Sequence, residues 1–136
     1  DLNQLKAEIL TMRDKMLPTH PAQENNVKYA RGGIVDVEFI VQYLVLAYSH
    51  NFPQLTQNYG NIALLGMAAD LNLIDIHLCA HAQIAYRYYR KVQHLSNLKD
   101  NEQVEITLEL QTHYANVQHL WNKLLITLPS DSNAVL

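Results

Sequence analysis

Ile34-Val-Asp36-Val-Glu38-Phe-Ile-Val-Gln42-Tyr-Leu-Val-Leu46-Ala47 is the longest apolar stretch of the chain, and its reading decides the fold class. Wound at about 3.6 residues per turn, it carries apolar side chains on nearly every side, the pattern of a helix with neighbours all round. Asp36, Glu38 and Gln42 interrupt it, so it falls short of the roughly 20 clean apolar residues that a membrane span needs. The stretch therefore predicts a central, buried helix from Ile34 to about His50 and no transmembrane segment.

Working outward, Leu2, Leu5, Ile9, Met12 and Met16 recur every three or four residues and predict a first helix over Leu2 to Leu17, which Pro18 and Pro21 prevent from continuing. An aperiodic loop from Pro18 to Arg31 leads to the pair Gly32-Gly33. Beyond the central helix, a turn around Pro53 precedes a shorter helix from Asn61 to Leu71, with Asn61 expected at its N-cap. Asp75 is expected to cap a fourth helix over Ile76 to Leu98. A fifth is expected over about Glu102 to Leu128, before Pro129 and a polar tail over 129–136. No segment alternates at the period of a strand. Long amphipathic helices with short connections predict an all-α fold, an up-and-down bundle of four to five helices forming a single domain over residues 1–136.

The chain has 136 residues, 49% of them hydrophobic and 17% charged, a balance that folds around one core and is unlike that of disordered segments. Its formal charge is -3 and its ten Lys and Arg are scattered, so it carries no electrostatic footprint for nucleic acid. The single cysteine, Cys79, has no internal disulfide partner, and the first residues lack the layout of a secretory signal, so the cytoplasm is the expected compartment.

Chemistry concentrates in Lys28-Tyr-Ala-Arg31-Gly32-Gly33-Ile-Val-Asp36-Val-Glu38-Phe39. Adjacent glycines permit positive φ and close backbone approach, and the helix start that follows offers N–H groups to an anion such as a phosphate. The same glycines also serve as a turn, with the carboxylates complementing the helix dipole. Asp36 and Glu38 lie about 200° apart around a helix and cannot form one paired site. A carboxylate drawn into the bundle needs a cation, for which Arg31, Arg87 and Arg90 are candidates. His77 and His81 have the i, i+4 spacing that can hold a metal, but no third ligand is spaced to complete a site, and no metal site is expected. In Tyr86-Arg-Tyr-Tyr-Arg-Lys91, Tyr86, Tyr89 and Leu98 fit a packing seam, with Arg87 and Lys91 in solvent.

The run Gly32-Gly33-Ile-Val-Asp36-Val-Glu38-Phe-Ile-Val-Gln42 resembles the Gly-Gly-Ile-x-Asp-Ile-Glu-Phe-x-x-Gln pattern of the glutamine-synthetase adenylyltransferases. Ile9-Leu-Thr-Met-Arg-Asp-Lys-Met16 is similar to that family's upstream helix, Lys28 falls where the family has a lysine, and Asn61-Ile-Ala-Leu-Leu65 resembles its Asp-Asn-x-x-x-Leu segment. Ala85-Tyr86 and Arg90 match a later Ala-Tyr-x-x-Leu-Arg element. The resemblance covers about residues 5 to 98. Gly60 replaces the family's Asp, Tyr89 stands in for Leu, and the segment after Leu98 matches poorly.

The resemblance implies a helical domain that follows a nucleotidyltransferase domain in a bifunctional enzyme of two such halves. One half transfers AMP from ATP to a tyrosine of glutamine synthetase and the other removes it. Asp36 and its continuation look more like the C-terminal, adenylylating half. Mg2+ and ATP are implied for the full-length enzyme and no cofactor for this fragment, because the family's metal-binding carboxylates belong to the other domain. The fragment alone is expected to be inactive. Implied partners are the adjacent nucleotidyltransferase domain, glutamine synthetase and a PII-type signalling protein, with no nucleic acid and no membrane. Asp36 and Glu38 become the supporting candidates at the site. Lys28, Arg31, Gly32, Gly33 and Arg90 become the nucleotide- or phosphate-proximal ones. The alternative reading is a non-catalytic helical interaction or regulatory module, in which Gly-Gly is a turn and Asp36 a structural ion pair.

Overall fold

The computed structural model describes residues 1–57, 59–98 and 104–126. Helix α1 spans Leu2–Met16, opened by Asp1, whose side chain accepts from the Asn3 N–H at 3.1 Å. Its packed face differs from the expected one. Met12 is exposed, whereas Arg13, one position on and four after the buried Ile9, is 2% exposed. Helix α2 spans Ile34–Tyr48, two residues shorter than expected, and buries Ile34, Val35, Asp36, Val37, Ile40, Val41, Tyr43 and Leu44. It touches α1 and the three helices that follow, so the stretch that reads as central in the sequence is central in the fold.

A one-turn 3-10 helix, Pro53–Thr56, leads to α3, Asn61–Asp70. Gly60, not Asn61, holds the cap position of α3, and the Asn61 side chain instead donates to the Tyr86 hydroxyl at 3.0 Å. The helix closes with Asn72 at φ 60, where the Leu73 N–H reaches the Ala68 carbonyl and the Asn72 N–H the Ala69 carbonyl. This double bond pattern satisfies the last carbonyls and turns the chain sharply into α4.

Helix α4 spans Ile76–Leu98, as expected. Asp75 opens it by accepting from the His77 and Leu78 N–H groups at 2.9 and 3.0 Å, and these bonds, chiefly that from Leu78, lower its pKa. The fully buried Ala82 and Ala85 keep its inner face small, which lets neighbouring helices approach closely. Tyr89 is fully buried and Tyr86 partly so, while Arg87 and Lys91 are exposed, as the seam reading requires. The Leu98 side chain lies outside the described residues.

Helix α5 spans Leu108–Trp121 and begins later than expected. Residues 104–106 are not helical because the Val104 N–H is committed to the Asn25 carbonyl. Thr107 then caps the helix, its hydroxyl accepting from the Leu110 N–H at 3.1 Å. A π-helical turn, Asn122–Ile126, continues α5 and reaches back to α1. Residues 102–103 and 127–128 of the expected fifth helix, and the polar tail over 129–136, lie outside the described residues. The architecture is all-α, with no strand among the described residues, and α4 against α5 is its most extensive pairing. No helix of the described residues is long and apolar enough to cross a membrane.

Candidate functional site

The loop before α2 is built from its backbone upward. Gly32 adopts φ +81, and a Cβ there would lie 2.4 Å from the Tyr114 carbonyl oxygen; one on Gly33 would lie 2.2 Å from that of Val27. Both glycines are needed because other backbone occupies the space a side chain would take.

Most N–H groups around this helix start already have partners within the chain. Gly33 donates to Ala30, Ile34 to Val27 at 2.8 Å, Val35 to Lys28 at 3.0 Å and Val37 to Gly33. Gly32 donates to Asp36 Oδ2 at 2.7 Å. Gly32 and Gly33 are buried and their own N–H groups are engaged within the chain, so of the two roles the sequence left open, anion binding and a turn, their geometry is that of the turn that packs the loop.

Asp36 is 3% exposed and its other oxygen, Oδ1, is ion-paired with Arg13 Nε. Its partner is therefore not Arg31, Arg87 or Arg90, which are all exposed. Arg13 also donates from Nη2 to the Tyr29 carbonyl at 3.3 Å. One carboxylate and one guanidinium thus tie α1, residues 29 and 32 of the loop and the first turn of α2 together. Breaking such a buried pair by removing one partner costs about 3–5 kcal/mol.

Two further struts hold the same loop. Tyr89 of α4 donates its hydroxyl to the Gly32 carbonyl at 2.7 Å, and Gln118 of α5 donates to the Arg31 carbonyl at 3.0 Å. Burial, then the nearby Tyr114 and Asp36, push the Tyr89 phenol well above the ordinary tyrosine range. It is a committed donor.

With its backbone held on all sides, the loop turns two cations outward. The Arg31 side chain borders a shallow cleft of about 370 Å³ with Glu24, Gln111, Tyr114 and Gln118. The Lys28 side chain lies over the Tyr29 ring, its Nζ 5.3 Å from the centroid, and His20 stacks on that same ring at 4.2 Å. Lys28 and Tyr29 share a polar cleft of about 510 Å³ with residues that include His20, Asn26, Gln93 and Ser96. Arg90 belongs to the rim of this region only indirectly, since its Nη1 donates to Gln93 at 3.2 Å. Glu38 is exposed on α2 beside Gln42, away from the buried Asp36, so the two carboxylates serve different surroundings.

The residue that sequence reasoning missed is Arg13. Its signal was available: a lone cation four residues after Ile9, on the apolar face of an amphipathic helix, implies a buried counter-charge. His77 and His81 are both exposed, and no group of three or more His, Cys, Asp or Glu among the described residues is placed to hold a metal.

By class this is an all-α domain that presents two exposed cations on a loop whose backbone is tied to the helices around it. The chain belongs to the family described as GlnD PII-uridylyltransferase, whose model matches residues 3–123. Among its relatives, the "Bifunctional glutamine synthetase adenylyltransferase/adenylyl-removing enzyme" of Neisseria meningitidis serogroup A is 56% identical over 124 residues, covering 91% of this chain. The protein of that name from Chromobacterium violaceum is 49% identical over 124 residues, again 91% of the chain. That from Bordetella bronchiseptica is 41% identical over 128 residues, 92% of the chain. The matched region is only 14% of the length of each of these three relatives. The sequence resemblance to the adenylyltransferases is thereby borne out, and the match runs well past Leu98, where the motifs thin out.

Proposed function

We propose that this chain is the helical domain of a bifunctional glutamine-synthetase adenylyltransferase and adenylyl-removing enzyme. In this reading it packs beside a nucleotidyltransferase domain and supports transfer of AMP from ATP to a tyrosine of glutamine synthetase. The observation that carries it is the identity of 56% over 91% of this chain to a relative so named, confined to 14% of that relative's length. Phosphoryl and nucleotidyl transfer rest on positioning and on stabilising charge, the metal-bound ATP being held by carboxylates of the partner domain. This domain's contribution is a pair of exposed cations on an anchored backbone. Lys28 and Arg31, exposed on a loop whose backbone is tied to α1, α4 and α5, meet the phosphates, and Asp36 holds the loop in place. The adenylylating half, a cytoplasmic setting and a PII-type signalling partner complete the reading.

The test is Lys28→Ala with Arg31→Ala in the full-length enzyme. Both side chains are exposed, so unfolding should shift by no more than about 0.5 kcal/mol. The expected result is a fall of about tenfold or more in kcat/KM for ATP, in line with the loss of one or two charge-assisted contacts. Unchanged turnover would remove the phosphate role.

A second reading is favoured by the closed glycine turn and the buried Asp36–Arg13 pair, both structural features. In it the domain docks glutamine synthetase or a regulatory protein and touches no nucleotide. The same variants would then weaken binding of the protein partner and leave the KM for ATP alone.

A further inference from the structure

We propose that Arg13 is a positioning residue that fixes Arg31 in register for the transfer reaction, acting through Asp36 and the loop backbone. The inference rests on the reading that Arg31 meets the nucleotide phosphates. It goes beyond that reading by assigning a role to a residue of a different helix, one that touches neither cleft.

The geometry carries it. Arg13 Nη2 holds the Tyr29 carbonyl, and Arg13 Nε holds Asp36, whose other oxygen holds the Gly32 N–H. The two anchored residues, 29 and 32, bracket Arg31. An exposed, rotamer-rich arginine is a poor electrostatic group when its backbone drifts, because the reaction gains only from charge held where charge develops. Arg13 is 2% exposed and lies outside every cleft described above, and its bonds go to Tyr29 of the loop and to Asp36 at the start of α2, which itself holds Gly32. A guanidinium suits this work because two of its nitrogens reach two acceptors in a fixed plane; a lysine ammonium keeps the charge and offers only a point.

The test is a double-mutant cycle in the full-length enzyme, with Arg13→Lys and Arg31→Ala alone and together. Arg13→Lys should retain a cooperative melt and lower kcat/KM for ATP about tenfold, with the KM for the protein substrate unchanged. In the Arg31→Ala background it should cost less than about twofold, because nothing is left to position. Equal losses in both backgrounds would overturn the inference and leave Arg13 a stabilising residue only. If Arg31→Ala alone has no effect, the underlying reading fails as well, and the two failures are thus told apart. Should Arg13→Lys not fold, Arg13→Gln, which keeps a planar donor toward Asp36 and the Tyr29 carbonyl but drops the charge, runs the same cycle with the same expectation.

Discussion

The hydroxyl of Tyr89, midway along α4, donates to the carbonyl of Gly32 at 2.7 Å across 57 residues of sequence. Since the N–H of that same glycine is held by Asp36, both polar groups of one residue are fixed by side chains from two helices. Replacing Tyr89 by Phe leaves a buried carbonyl without its donor and should destabilise the chain by about 1–2 kcal/mol, read as a lower midpoint in urea with an unchanged slope.

The same phenol sets the response to alkali. Tyr43, Tyr89 and Tyr114 are all pushed above the ordinary value of 10.0, in each case chiefly by burial. A folded-state value above the unfolded one means that the folded chain holds the proton more tightly. Their contribution is therefore fully present below pH 10 and lost as pH rises through the folded values. Urea midpoints should hold steady through neutral pH and fall steeply above pH 10, and the fall should be shallower for Tyr89→Phe. Parallel curves for the two proteins would show that this residue is not part of the effect.

Asp75 acts at the opposite end of the pH scale. The Leu78 N–H, followed in smaller measure by that of His77, holds its carboxyl below the ordinary 3.8. A depressed folded value gives stability that is present above pH 3.8 and lost as pH falls through the lower folded value. Asp75→Ala should lower the melting temperature at neutral pH, and the gap to the parent should close in acid. A gap that persists at the lowest pH at which both fold would point to something other than the charged cap.

Gly32→Ala should be severe. Its φ of +81 disfavours any side chain, and the new Cβ would sit 2.4 Å from the Tyr114 carbonyl oxygen, so a loss above about 3 kcal/mol is expected. Gly60→Ala is the comparison, since a Cβ there meets nothing within 4 Å and only the preference for glycine over alanine at the α3 cap is lost, a cost of about 1 kcal/mol. Comparable melting temperatures for the two variants would contradict the packing role given to the loop.

The helices were legible because their signals are local. Ile76–Leu98 runs between the boundaries that Asp75 and the periodicity predict, and the apolar run from Ile34 sits where its all-round pattern requires. What the sequence concealed was tertiary. Nothing local says that the Val104 N–H binds Asn25, 79 positions away, and so delays α5 until Thr107 can cap it. Lys28 and Arg31 could be singled out from the motif and do stand exposed, but the glycines beside them turned out to be packed against carbonyls instead of open to an anion. Arg13 was overlooked because the packed face of the first helix was read from its apolar residues, Ile9, Met12 and Met16, whereas of Arg13, Asp14 and Lys15 the first points inward.

The central claim is that this chain serves a nucleotidyltransferase domain, and reconstitution tests it most directly. The catalytic domain of a full-length relative would be produced alone and assayed for transfer of labelled AMP to glutamine synthetase with and without the 136-residue chain. The account predicts that adding the chain raises the rate at least tenfold, and that a chain carrying Lys28→Ala and Arg31→Ala fails to do so. Equal rates with and without the chain would contradict it.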